Sequence, residues 1–130
     1  MMAIKTHEQI DPRLCGIPLL LEPDFSRVEL KTDDAMKVDH LGLVHGGFIF
    51  GLADYAAMIA VNDPNVVLGA ADVKFLKPVR MGETVVAEAR VTLKKGKKQM
   101  VSVTVTRHDE TVFTGEFACF VLEKHVLAEG

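Results

Sequence analysis

The sequence predicts an α+β fold, and three observations carry that expectation. The run GGFIFGLADYAAMIAVN, residues 46 to 62, is apolar on most sides of a helix and holds a single carboxylate, Asp54. Outside it, apolar residues recur with period two, the mark of strands with one buried face. The extended segments cluster after the helical run instead of alternating with helices, which argues against a series of βαβ units. One sheet of about six strands must therefore bury a face on one helix. Because that helix has almost no polar side, the sheet is expected to wrap it.

Each element has its own justification. GIPLLLEPDFSRVELKT, residues 16 to 32, reads as two short strands around a turn at Pro23-Asp24, with Val28 and Leu30 alternating against Arg27, Glu29 and Lys31. DDAMKVDHLGLVHGG is mixed, ends in two glycines and reads as a loop delivering the chain to the helix. The helix should stop at NDPN, where Pro64 cannot continue it. NVVLGAADVKFLKPVR is a long strand interrupted at Pro78, and TVVAEARVTLKK follows with Val85, Ala87, Ala89, Val91 and Leu93 on one face. QMVSVTVTRH and TVFTGEFACFVLEK complete what reads as a four-strand antiparallel meander after the helix. The ends, roughly residues 1 to 14 and 123 to 130, look loosely tied.

A chain of 130 residues, 48% hydrophobic, fits one domain over residues 1 to 130 with a core from about 16 to 122. Its apolar runs are broken by Asp54 and Pro64 before they reach the length of a membrane span. MMAIKTHEQIDPRLCG lacks the features of a secretory signal, so the expected location is the cytoplasm, with no membrane partner. A net charge of −3 argues against nucleic acid as a principal partner. Cys15 and Cys119 have neither metal-site nor disulfide-framework spacing and read as reduced thiols. No HExxH, GxxxxGK[ST] or G-x-S-x-G pattern occurs, so the sequence offers no metal ligand set and no nucleotide-hydrolase or serine-hydrolase motif.

Asp54 is the residue that asks for an explanation. A carboxylate on a buried helix is costly unless it is paired, hydrogen-bonded or protonated. It either sits at a subunit boundary or is satisfied by a neighbouring backbone amide, or it faces a cavity as a base or nucleophile. Gly46 and Gly47 precede the apolar run, and a first helical turn offers N–H groups with no internal partner to a carbonyl that can approach glycine closely. The alternative for that pair is an ordinary flexible helix entry. Gly46 and Asp54 lie about 12 Å apart along a helix and point in different directions, so one helix cannot bring both to one carbonyl. Their cooperation requires a two-fold-related dimer with composite sites.

DHLGLVHGGFIFGLADYAA resembles the signature of hotdog-fold acyl-CoA thioesterases of the phenylacetic-acid-pathway and 4-hydroxybenzoyl-CoA type, in which G-x-x-H-G-G is followed by a helix containing L-A-D. ADVKFLKPVRMGETVVAEARV and VFTGEFACFV look like strands of the same family, so the resemblance spans roughly residues 16 to 122. It implies a long central helix wrapped by a curved antiparallel sheet of five to six strands, at least a homodimer and possibly a dimer of dimers. It also implies hydrolysis of an acyl-CoA thioester with no metal or other cofactor. Asp54 then matches the catalytic carboxylate, Gly46 the glycine whose amide polarises the carbonyl, and His45 and Gly47 the rest of the motif in a mainly structural role. Asp39 stands where many members have asparagine, and Leu68 lies near where some carry a hydroxyl that positions water. Were Asp39 of one subunit to approach Asp54 of the other, the like charges would raise one pKa.

Further expectations complete the reading. KKGKK, with Lys94, Lys95, Lys97 and Lys98, marks a β-turn with Gly96 at positive φ; it is either a solvated tip or a trap for the phosphates of coenzyme A, for which Lys74, Lys77 and Arg80 are further candidates. Phe48, Phe50, Tyr55 and Met58 are the candidate lining of the acyl pocket, while His7, His40, His108 and His125 read as solvated and without a role. The strand from 66 to 80 also resembles the malonyl-CoA-sensing hotdog domain of a bacterial lipid-synthesis repressor, which implies binding without turnover as the alternative. A hotdog dehydratase using His45 and Asp54 is the rival enzyme.

Overall fold

Residues 1–128 are described by the computed structural model. A single helical turn, α1 (Pro12–Cys15), begins where Asp11 caps the Arg13 amide and Pro12 takes the first helical position. The hairpin follows as β1 (Ile17–Glu22) and β2 (Phe25–Lys31), turning at Pro23-Asp24 with Asp24 at φ 63°. The segment expected to be loop contains a 3-10 turn at Asp34–Met36 and two isolated bridges, Lys37 to Val44 and Leu43 to Arg80. The long helix α2 spans Gly46–Val61. Four strands come after it, β3 (Val66–Phe75), β4 (Thr84–Lys95), β5 (Lys98–Arg107) and β6 (Glu110–Val121).

The sheet is antiparallel throughout, curved, and ordered β1-β2-β4-β5-β6-β3. This is a hotdog fold, with α2 packed against all six strands. Eight residues of its last ten, Leu52, Ala53 and Tyr55 to Ala60, are buried, so the helix has no wet face there. Ala53, Ala56, Ala57 and Ala60 bring the helix backbone close to the sheet, while Phe113, Phe117 and the valines of β4 and β5 fill the layer between. Ser26 of β2, fully buried, donates from Oγ to the Ala56 carbonyl at 2.6 Å and ties sheet to helix. Asn62 ends the helix in the left-handed conformation, φ 54°, its amide reaching the Met58 carbonyl.

Three expectations need correction. β3 is not the first strand of a four-strand meander: β4 pairs with β2, and β3 crosses to the opposite edge beside β6. Alternation along each strand is the same in either order, so period alone could not distinguish them. Leu93 does not share the buried face of β4, because a bulge between Val91 and Leu93 shifts the register and leaves Leu93 exposed. The amino-terminal segment is not loose. The Met2 amide reaches the Leu21 carbonyl, the Lys5 amide donates to Asn62 Oδ1 at 2.8 Å, and Asn62 Nδ2 donates to the Ala3 carbonyl at 3.0 Å. Thr6 is buried, and Ile4 and Ile10 pack on the core. Residues 123 to 128 are exposed, as expected, and 129 and 130 of that tail lie outside the described residues.

Candidate active site

The HGG motif builds the start of α2. His45 is the N-cap: its Nδ1 accepts from the Gly47 amide at 2.7 Å, which places the ring proton on Nε2. A Cβ at Gly47 would stand 2.9 Å from that nitrogen, so glycine is what lets the cap close. A Cβ at Gly46 would stand 3.2 Å from the Phe75 ring, and no acceptor among the described residues takes the Gly46 N–H. A free helical amide is thus left at the positive end of the α2 dipole.

Asp54 lies on the middle of the same helix, two turns on, and opens into a different place. It lines a cleft of about 490 Å³ bounded by Met58 one turn beyond it, by Pro64 to Leu68 leading into β3, by residues 5 to 8, and by His125 and Val126. Asp54 Oδ1 is buried without a hydrogen-bond partner. Desolvation raises the Asp54 pKa from its ordinary 3.8 to about 6. Two thiols respond to the same surroundings. Burial first and the Asp54 charge second push Cys119 up to about 12, and the same causes in the same order raise Cys15. Neither cysteine is therefore a nucleophile near neutral pH.

The other predicted site residues fall in several places. Asp39 belongs to a second cleft with Leu41, Leu43, Arg80, Glu83 and Arg107, and its Oδ1 accepts the Leu41 and Leu43 amides at 3.0 and 3.2 Å. Within one chain it is not part of the Asp54 cleft. Of the four acyl-pocket candidates only Met58 lines that cleft. Phe50 packs on Phe117 with ring centroids 5.6 Å apart, Tyr55 is buried in the core, and Phe48 stands edge-on to the His45 ring at 6.2 Å.

None of the seven candidate cations for coenzyme A lines the Asp54 cleft; Lys5 does instead. Lys94 pairs with Asp24 at 2.9 Å and Lys77 with Glu110 at 2.7 Å, while Lys74 stands on the outer sheet beside Glu116 and Ser102. Lys95, Lys97 and Lys98 remain at the exposed β4-β5 tip, where Gly96 has φ 59°. Sequence reading gave no role to Lys5, Thr6, His7 and Glu8; His125, read as solvated, is exposed and also lines the cleft. The available signal was Ile4 and Ile10, whose burial ties the polar residues between them to the core. Leu68, noted for its position, does line the cleft.

Among the described residues no three His, Cys, Asp or Glu side chains cluster as metal ligands would, and no helix is long and apolar enough to cross a membrane. A curved antiparallel sheet wrapped on one long helix places the chain in the class of hotdog-fold proteins. The chain belongs to the Thioesterase superfamily, whose family model matches residues 41–114, more than half of its length. It is 54% identical to an uncharacterized protein of known structure from Pyrococcus horikoshii, with TM-score 0.97 over 98% of each chain. Among curated relatives, it is 52% identical over 116 residues to methylthioribose-1-phosphate isomerase of Aquifex aeolicus, covering 89% of this chain but 25% of that protein. It is 32% identical over 108 residues to transcription factor FapR of Caldanaerobacter subterraneus, covering 83% of this chain and 50% of that protein. The chain thus spans a quarter to a half of the curated relatives it matches. A more distant structure is a hypothetical thioesterase with coenzyme A from Streptococcus pneumoniae, at 16% identity and TM-score 0.76 over 84% of this chain and 87% of that one; it bears on the fold alone.

Proposed function

We propose that the protein is an acyl-CoA thioester hydrolase in which Asp54 activates water or attacks the carbonyl carbon, and the Gly46 amide of a second copy polarises the carbonyl. The observation that carries this reading is the buried, unpartnered Asp54 Oδ1 opening on a cleft in a chain of the Thioesterase superfamily. A carboxylate kept from hydrogen-bonding its own protein, with a pKa raised to about 6, is a stronger base than an ordinary surface aspartate and still ionised at pH 7. In the overall reaction water adds oxygen to the acyl carbon, the carbon–sulfur bond breaks, and the proton taken from water ends on the coenzyme A thiol. No metal or further cofactor enters that balance.

Helix geometry supports a dimer in this reading. Eight residues of helix separate Gly46 from Asp54 by about 12 Å along the axis, so the free amide must come from elsewhere. β3 is the edge strand beside the cleft, ten residues long and unpaired on its outer side, a natural seam for a second copy. The test is release of free thiol from short-chain, long-chain and aromatic acyl-CoAs by wild type and Asp54→Ala. Turnover that survives the substitution intact defeats the assignment. A second reading is acyl-CoA binding without hydrolysis, and the likeness to a transcription factor, FapR, supports a regulatory role over turnover. It predicts calorimetric binding with negligible thiol release and an affinity insensitive to Asp54→Asn.

A further inference from the structure

The floor and the roof of the Asp54 cleft differ in chemistry. Met58, Val66, Val67 and Leu68 make an apolar floor, whereas Lys5, His7, Glu8 and His125 bring polar groups to the other side. A plain alkyl chain would fill the floor but would strip water from the roof and replace it with nothing, which is unfavourable.

His7 is the roof residue whose position is most strongly built. Its backbone has φ 54°, a left-handed conformation that a non-glycine residue adopts at a cost. The surrounding segment holds it there. The Lys5 amide is fixed to Asn62 at the end of α2, the Ile10 amide reaches the His7 carbonyl at 3.3 Å, and Thr6 is 5% exposed.

The ring is oriented as well. Thr6 Oγ1 and His7 Nδ1 are 2.8 Å apart, and this is the only hydrogen bond recorded for either group among the described residues. Thr6 has little exposure for its hydroxyl to find another acceptor, which favours the arrangement in which the hydroxyl donates and Nδ1 accepts. His7 is exposed to solvent, and its partial burial lowers its pKa, which favours the neutral ring. Its single ring proton is therefore on Nε2, which has no partner among the described residues.

We infer that His7 is a specificity residue, presenting its Nε2–H to an oxygen on the acyl group, so that the preferred thioesters carry a hydroxyl, keto or carboxylate acceptor rather than a bare alkyl chain. This rests on the reading of the Asp54 cleft as the acyl-CoA site. An acyl group whose carbonyl lies at Asp54 would share the cleft that Met58 and His7 also line. Thr6 is a positioning residue, acting through the ring it holds.

The test compares a matched pair, butyryl-CoA and 3-hydroxybutyryl-CoA, in two ways. Thiol release gives the ratio of kcat/KM values for wild type, His7→Ala, His7→Gln and Thr6→Val. Calorimetry on the same chains carrying Asp54→Asn gives the ratio of Kd values with no catalysis required. Wild type should favour the hydroxylated ester about tenfold, the worth of one neutral hydrogen bond in a partly dry site. His7→Ala and Thr6→Val should bring the ratio near one, and His7→Gln, which keeps a donor, should restore part of it. Equal handling of the pair by wild type, or an unchanged ratio in both His7→Ala and Thr6→Val, overturns the inference. Absence of thiol release with the Kd ratio intact would sink the hydrolase reading and leave His7 in place; absence of binding by either ester would sink both.

Discussion

Two clefts of equal volume, about 490 Å³ each, treat their charges in opposite ways. In the cleft that holds Asp39, every carboxylate has a partner. Glu83 Oε1 accepts the Arg80 amide at 2.7 Å and Arg107 Nη1 at 3.2 Å, and Arg107 also donates to the Pro78 carbonyl at 2.6 Å. Glu110 at its margin takes hydrogen bonds from Lys77 and then Arg107, and both lower its pKa. In the other cleft Asp54 Oδ1 has no partner and its pKa rises. The same functional group has opposite settings: the first holds a loop against two strand ends, and the second leaves a buried oxygen without a partner. Neutralising Asp54 should then harm chemistry and help the fold, while disarming Arg107 should harm the fold and leave chemistry unchanged.

The largest expected effect is on turnover by Asp54→Asn. Removing a general base or nucleophile from its site costs on the order of a hundredfold to ten-thousandfold in rate. The same change should raise thermal stability at pH 7, because a desolvated charge is removed; a shift from 3.8 to about 6 corresponds to roughly 2–3 kcal/mol. A variant that is both slow and less stable than wild type would mean that Asp54 supports the fold through an interaction the cleft does not reveal.

A pH series separates the two contributions. The folded Asp54 pKa lies above the unfolded one, so its ionisation opposes folding. The cost is absent below about pH 4, where both states are protonated, grows as pH rises through the window to about 6, and is constant above it. The stability advantage of Asp54→Asn should therefore shrink on acidification from pH 7 to 4, and wild-type turnover should fall along an acid limb near 6. Titratable groups that share the surroundings are Lys5, His7, Glu8, His125, Cys15 and Cys119. Of these, His7 has its pKa lowered by burial, which brings it toward the same window. His7→Gln, which removes one of them, should leave the limb where it is; a limb that moves with His7 would transfer the titration to the imidazole.

How much of this contrast was visible in the residues can be said element by element. α2 was legible because its apolar face covers the full circumference, and Asp54 stood out because nothing charged surrounds it in sequence. The HGG motif identified the free amide for the same reason: glycine at a helix start has a short list of uses. The place of β3 at the far edge was not legible, since a strand's alternation says which face is buried but not which neighbour it pairs with. Nor was the bulge that turns Leu93 outward, because an inserted residue leaves no mark on composition. His7 was hidden by a different cause. Its position depends on Asn62, fifty-five residues away in sequence, gripping the backbone on either side of Ile4.

Arg107→Met should produce a smaller and purely structural change. Methionine keeps most of the side chain's apolar stem while leaving Glu83, Glu110 and the Pro78 carbonyl without their shared donor. A fall of a few degrees in Tm is expected, measured by differential scanning calorimetry. An unchanged Tm would mean that the cluster is no firmer than ordinary exposed ion pairs, and that the two clefts differ in reactivity but not in their service to the fold.

The smallest effect, and the one that sharpens the comparison most, belongs to Asp39→Asn. Asp39 Oδ1 accepts two backbone amides, and an asparagine carbonyl oxygen can accept the same two, so the turn before α2 should survive with Tm nearly unchanged. What the substitution removes is charge. In a two-fold dimer where the start of one α2 meets the middle of the other, the loop carrying Asp39 travels with Gly46 toward the partner's Asp54. Two carboxylates facing each other would raise the pKa of one of them beyond what desolvation alone does. Asp39→Asn should then move the acid limb of the pH–rate profile downward, with the plateau rate little altered. A limb that stays at its wild-type position would confine Asp39 to its turn and leave desolvation as the sole cause of the raised Asp54 pKa.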